Sequence, residues 1–134
     1  MPHLVILYTP NIEAQTDMTA LCRALADTML AVRDEAGKQV YPTGGTRVLA
    51  YPAAHYAVAD GQAAYAFVYL NLRMGKGRSD GVRQTAGEQL IAATRAHFAP
   101  LFAQRHIGIT LQIDEGQEVF DAKHSNLHPL FNKA

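Results

Sequence analysis

The stretch Ala64-Tyr65-Ala66-Phe67-Val68-Tyr69-Leu70-Asn71-Leu72-Arg73-Met74 decides the fold of this chain. Its aromatic and aliphatic content predicts a long strand over 64–74. Successive side chains on a strand point to opposite faces, so Ala66, Val68, Leu70 and Leu72 share one face and Tyr65, Phe67 and Tyr69 the other. Both faces are apolar. A strand of this kind needs a cover on each side, and the segments around it show what the covers are.

Downstream, Ser79 to Phe102 reads as a long helix with Ser79 at its N-cap, and Ile107 to Asp114 as a strand with Ile107, Ile109, Leu111 and Ile113 on one face. Upstream lies the same pattern. His3 to Tyr8 is an apolar strand ended by the turn Thr9-Pro10-Asn11, and Met18, Leu21, Cys22, Leu25, Met29 and Val32 mark an amphipathic helix closing near Gly37. After the turn Pro42-Thr43-Gly44-Gly45, Thr46 to Tyr51 reads as the next strand.

Two consecutive strand-helix-strand units follow, about 2–52 and 63–114, with a C-terminal tail over 115–134, all within one domain of residues 1–134. The expected fold is α+β: a four-stranded mixed sheet with two helices on one face, because a parallel pair requires a crossover connection. Two helices leave the face of Tyr65, Phe67 and Tyr69 bare, and a copy of the same chain is its simplest cover. A homo-oligomer is therefore expected. Phe120, Leu127, Leu130 and Phe131 make the tail too apolar for a disordered extension, so it should pack on a neighbour or on the domain edge.

The 134 residues carry 12 basic and 12 acidic side chains. A balanced charge offers no general attraction to nucleic acid or to an anionic membrane, so any anion site must be local. No stretch approaches the roughly 18 apolar residues of a membrane span, and the N-terminus lacks a signal-peptide pattern, so a soluble cytoplasmic protein is expected. The one cysteine, Cys22, falls on the apolar side of a helix and reads as a buried structural thiol.

Gly75-Lys76-Gly77-Arg78-Ser79-Asp80-Gly81 follows a strand and opens a helix, the setting of phosphate-binding loops. Its G-x-G-x-x-x-G spacing does not fit a dinucleotide, and no Walker pair follows. Arg78 beside a helix N-terminus makes a compact anion site instead. Arg47 follows the glycine turn of the first unit much as Arg78 follows that of the second, and two guanidinium forks suit a dicarboxylate. His124 and His128 have the i, i+4 spacing of metal ligands but lack a third, so no metal is expected. His97 reads as a satisfied core histidine, and Cys22 as a thiol without a basic partner. Pro2 is the remaining candidate. Removal of Met1 would make its nitrogen a secondary amine, a base whose proton affinity falls with burial and nearby cations. With Met1 in place that nitrogen is an amide, and the site is expected with its base blocked.

These pieces resemble the tautomerase superfamily and, within it, the 5-carboxymethyl-2-hydroxymuconate isomerase family. The resemblance rests on Pro2-His3, Asn11-Ile12, Ala59-Asp60-Gly61-Gln62, Tyr65-Ala66-Phe67-Val68, Gly75-Lys76-Gly77-Arg78-Ser79, Arg83-Gln84, Ala86-Gly87-Glu88, His97-Phe98 and Asn126-Leu127-His128-Pro129-Leu130-Phe131. It implies a homotrimer and an amino-terminal proline acting as acid-base catalyst with two arginines. Ungapped spacing to Ala59-Asp60-Gly61 assigns those arginines to Arg47 and Arg78.

On this reading Pro2, Arg47 and Arg78 are catalytic. Arg47, Arg78, Tyr65 and Phe67 line the substrate, a small dicarboxylate or tricarboxylate, and no cofactor is involved. The resemblance implies tautomerisation of 5-carboxymethyl-2-hydroxymuconate in the catabolism of homoprotocatechuate. Two alternatives stand beside it: another activity of the superfamily, decarboxylation or dehalogenation, and a non-catalytic trimer that binds dicarboxylates.

Overall fold

β1 (His3–Tyr8) lies inside a four-stranded sheet of order β2-β1-β3-β4, with β2 (Arg47–Pro52), β3 (Ala66–Gly75) and β4 (Ile107–Gly116) around it. In this computed structural model residues 2–131 are described; Met1, whose removal decides whether the Pro2 nitrogen is free, and tail residues 132–134 lie outside the described residues. β1 runs parallel to β2 and antiparallel to β3, and β3 runs parallel to β4. α1 (Met18–Ala31) links the first parallel pair and α2 (Asp80–Phe102) the second. The mixed sheet expected from the sequence is the one observed.

Alternation sorts the side chains as the strand patterns require. Leu4, Ile6 and Tyr8 of β1 and Ala66, Val68, Leu70 and Leu72 of β3 are buried, joined by Leu21, Leu25 and Met29 from α1 and Leu90 and Phe98 from α2. Each such aliphatic or aromatic side chain contributes about 1.5–3 kcal/mol when removed from water. Both helices cover this one face. On the other, Leu7, Leu49, Tyr51 and Phe67 stay 45%, 46%, 49% and 36% exposed, an apolar patch along three strands.

Local chemistry sets the ends of the elements. Asp17 caps α1 by accepting from the Ala20 amide (3.0 Å), and Ser79 caps α2 by accepting from that of Val82 (3.2 Å), as its position predicts. β2 begins at Arg47 rather than Thr46, because the Thr46 amide donates to the Thr43 carbonyl and closes the short helical turn Thr43–Gly45. β3 begins two residues later than the pattern implies, because the Tyr65 amide turns back to the Ala63 carbonyl (2.9 Å). β4 runs on to Gly116, since Arg73, Met74 and Gly75 supply partners for Asp114, Glu115 and Gly116. The tail returns to the domain edge through α3 (His128–Phe131), which packs on the turn Thr43–Gly45.

Candidate active site

The starts of β1 and β2 and the end of β3 share one end of the sheet, because His3 pairs with Arg47 on one side and with Arg73 on the other. Pro2 is buried and immediately precedes this row. Continuing the antiparallel register by one residue sets it opposite Met74. Arg47, one residue further in and one strand away, is half-buried and donates to the Gly45 carbonyl (3.4 Å). The loop that carries Arg78 leaves β3 at this same end. Topology thus brings the segments that carry Pro2, Arg47 and Arg78 to one end of the sheet.

Arg78 is held on the helix-covered side of the sheet. Its Nη1 donates to the Gly75 carbonyl (3.1 Å), and its guanidinium carbon lies 5.1 Å from the centre of the Tyr41 ring, a cation–π distance. Tyr41 is wholly buried, and its hydroxyl meets Met74 Sδ at 3.4 Å. Burial raises the Tyr41 phenol above its ordinary pKa, while the Arg78 charge works against that rise. Gly77 has φ +119°, a conformation that side chains rarely adopt and that lets the short loop turn. Arg83 braces the loop by donating to the Arg78 carbonyl (3.0 Å) and to Glu115 of β4 (2.9 Å). Neither Tyr41 nor Arg83 stands out as a functional residue in the sequence, because neither role follows from local spacing.

On the open face the same row reads Arg47, His3, Arg73 and Asp114 across the four strands. His3, Arg47 and Arg73 line a cavity of about 400 Å³ roofed by the tail, with Glu118, Lys123 and His124 on its wall. Burial, then the charges of Arg47 and Arg73, lower the His3 pKa below its ordinary value. A second cavity of about 400 Å³ joins Arg47 to Asn126 and Leu127. The tail is anchored nearby, where a side chain at Gly44 would come within 3.0 Å of His128 Cα. Only glycine leaves room for α3 there.

Tyr65 and Phe67 are not part of this gathering within one chain. The Phe67 amide donates to Thr9 Oγ1 (3.0 Å) and the Tyr65 carbonyl accepts from Asn11 Nδ2 (2.8 Å), both at the far end of β1. Seven residues of strand from Pro2 is about 20 Å. The sheet register therefore places the two rings expected to line the substrate far from Pro2 of the same chain. Cys22 is half-buried rather than buried, with its thiol pKa raised by burial. His97 is satisfied, 2.6 Å from Thr16 Oγ1 and edge-on to Phe98. Among the described residues no cluster of three or more His, Cys, Asp or Glu is arranged to hold a metal ion, and no helix is long and apolar enough to cross a membrane.

Comparison with known proteins adds an independent line. A family model described as 5-carboxymethyl-2-hydroxymuconate isomerase matches residues 2–131. The 5-carboxymethyl-2-hydroxymuconate Delta-isomerase of Escherichia coli is 32% identical over 131 residues, 98% of this chain and 99% of its own length. A crystal structure of a 5-carboxymethyl-2-hydroxymuconate delta-isomerase superposes with a TM-score of 0.96 at 59% identity, covering 100% of this chain and 95% of that one. The isomerase of that name from Deinococcus radiodurans R1 gives 0.87 at 35% identity, covering 98% and 95%. A member of the cis-3-chloroacrylic acid dehalogenase family shares the fold alone, with a TM-score of 0.58 at 12% identity over 89% and 79%.

Proposed function

This chain belongs to the 5-carboxymethyl-2-hydroxymuconate isomerase family, and from that premise we propose that it tautomerises 5-carboxymethyl-2-hydroxymuconate through Pro2, assisted by Arg47 and Arg78. The observation that carries the reading is the convergence of a buried Pro2 with both arginine-bearing segments at one end of the sheet.

Once Met1 is removed, the Pro2 nitrogen is a secondary amine. Burial penalises its protonated form, and the nearby guanidinium charges penalise it further, so the amine stays neutral and basic at working pH. It takes the proton of the 2-hydroxyl group and returns a proton to carbon, converting the dienol into the conjugated oxo-enoate. One guanidinium binds a substrate carboxylate through paired hydrogen bonds. The other meets the oxygen on which negative charge develops, a contribution of about 3 to 4 kcal/mol for a well-placed donor. Neither step calls on a cofactor.

The working unit is a homotrimer. The open face of Leu7, Leu49, Tyr51 and Phe67 supports this reading, as does a groove of about 850 Å³ between Ile109, Leu111 and Ile113 of the edge strand β4 and the polar side chains Arg83, Gln84 and Glu88 of α2. In such an assembly Tyr65 and Phe67 serve the Pro2 of a neighbouring copy, which reconciles their role as substrate-lining residues with their distance from Pro2 of their own chain.

Pro2→Ala tests the mechanism, with loss of dienol ultraviolet absorbance as the readout. Removal of a general base lowers kcat by about 10²- to 10⁴-fold. Turnover at the parent rate would remove the proline from the mechanism.

A further inference from the structure

The substrate proposed above carries three carboxylates, two on the muconate chain and one on the carboxymethyl branch, while the two arginines recognised in the sequence must also serve the dienolate oxygen. The structure holds a further guanidinium in the right row. Arg73 flanks His3 on the side opposite Arg47, two strand spacings or about 10 Å from it, and its side chain opens into the same tail-roofed cavity. Resting on that functional reading, we infer that Arg73 is the residue that binds the carboxymethyl carboxylate and so selects the tricarboxylate over a plain hydroxymuconate.

Four features define its setting. Arg73 is exposed and, among the described residues, makes no hydrogen bond or ion pair; the Glu118 carboxylate stands beside its guanidinium on the wall of the same cavity, and a ligand carboxylate binds there in its place. The acid nearest in register, Asp114 on β4, accepts from Asn71 Nδ2 at 2.7 Å and makes no ion pair with Arg73. Gly116 leaves the space that the guanidinium and the Glu118 carboxylate use: a Cβ there would lie 2.6 Å from Arg73 Nη2, 2.8 Å from Glu118 Oε1 and 3.0 Å from Arg73 Nε. His3, between the two arginines, has its pKa lowered by burial and by their charges, and its ring adds a hydrogen-bonding group to the row.

The test compares two substrates, 5-carboxymethyl-2-hydroxymuconate and 2-hydroxymuconate, in the full-length enzyme and in Arg73→Gln, Arg73→Lys and Gly116→Ala. Loss of a charge-assisted contact in Arg73→Gln raises KM for the tricarboxylate about ten- to hundredfold and leaves kcat/KM for 2-hydroxymuconate within about twofold. Arg73→Lys recovers part of the loss, and Gly116→Ala, which displaces the guanidinium without removing it, loses part of the selectivity. Equal effects on both substrates, or loss of assembly with unchanged selectivity, overturn the inference. If the parent enzyme turns over neither compound, the isomerase reading fails by itself. Calorimetric binding of propane-1,2,3-tricarboxylate against glutarate, in parent and Arg73→Gln, then decides Arg73: a loss confined to the tricarboxylate supports the assignment, and an equal or absent loss overturns it.

Discussion

The guanidinium of Arg78 lies over the ring of Tyr41, with 5.1 Å between the guanidinium carbon and the ring centre, although the two residues are far apart in the chain. The ring is wholly buried and its hydroxyl meets Met74 Sδ, the strand position opposite Pro2 in register. One aromatic side chain thus ties an anion-binding loop to the start of β1.

Tyr41→Phe keeps the ring and loses only the contact to sulfur, so stability should change by less than about 1 kcal/mol and KM should stay within about twofold. Tyr41→Ala removes a buried aromatic side chain and should cost about 3–5 kcal/mol in urea unfolding, with KM raised as Arg78 loses its support. An alanine variant with parental KM would mean that Arg78 is positioned by its loop alone.

Gly44→Ala sets a methyl group 3.0 Å from His128 Cα, against backbone that cannot rotate away. Overpacking of this kind costs about 1–3 kcal/mol, and α3 should lift from the turn Thr43–Gly45. Because the tail also walls the cavities beside Arg47, KM should rise together with faster proteolysis of residues 117–131. Gly37→Ala is the contrast: nothing lies near that position and its φ is +81°, so any cost there comes from backbone strain and leaves KM unchanged.

Leu7→Asp introduces a charge into the open apolar face without touching the core of its own protomer. Sedimentation should then show dissociation to folded monomers, and activity should fall with the assembled fraction. A variant that stays assembled and active would assign the trimer contact to another surface.

Stability should fall on acidification. His3 and His97 both have pKa values lowered from 6.5, chiefly by burial, with Arg47 and Arg73 adding to the shift at His3 and Asp17 opposing it at His97. Between each lowered value and 6.5 the unfolded chain binds more protons than the folded one, so the unfolding free energy rises with pH across that window and is lost below it. Urea midpoints should be flat above about pH 7 and drop toward pH 5. His97→Gln should reduce the slope, and an unchanged slope would assign the effect to other groups.

The two sheet halves were legible because each helix and strand announces itself locally: Leu21, Leu25 and Met29 repeat at helical spacing, Ile107, Ile109, Leu111 and Ile113 at strand spacing, and Asp17 and Ser79 are cap residues in place. Arg78 was legible from its glycine loop. Arg73 was not, because on a strand an arginine reads as an ordinary solvent-facing residue until the register shows which neighbours it has. Tyr41 reads as an ordinary turn residue, and its burial depends on Met74 and Arg78, both more than 30 positions away.

Periodicity, capping and turn chemistry act between residues a few positions apart, so the sequence by itself determined the elements, their order, the mixed sheet and the bare apolar face. Register and packing act between residues far apart in the chain, and only the tertiary structure decided which side chains meet. It set Arg47, His3 and Arg73 in one row beside Pro2, seated His128 against Gly44, and carried Tyr65 and Phe67 to the opposite end of the sheet. Hydrogen-bond pairing along β1 is the reason: it fixes every strand neighbour to within one residue, and a shift of one would turn each side chain to the other face.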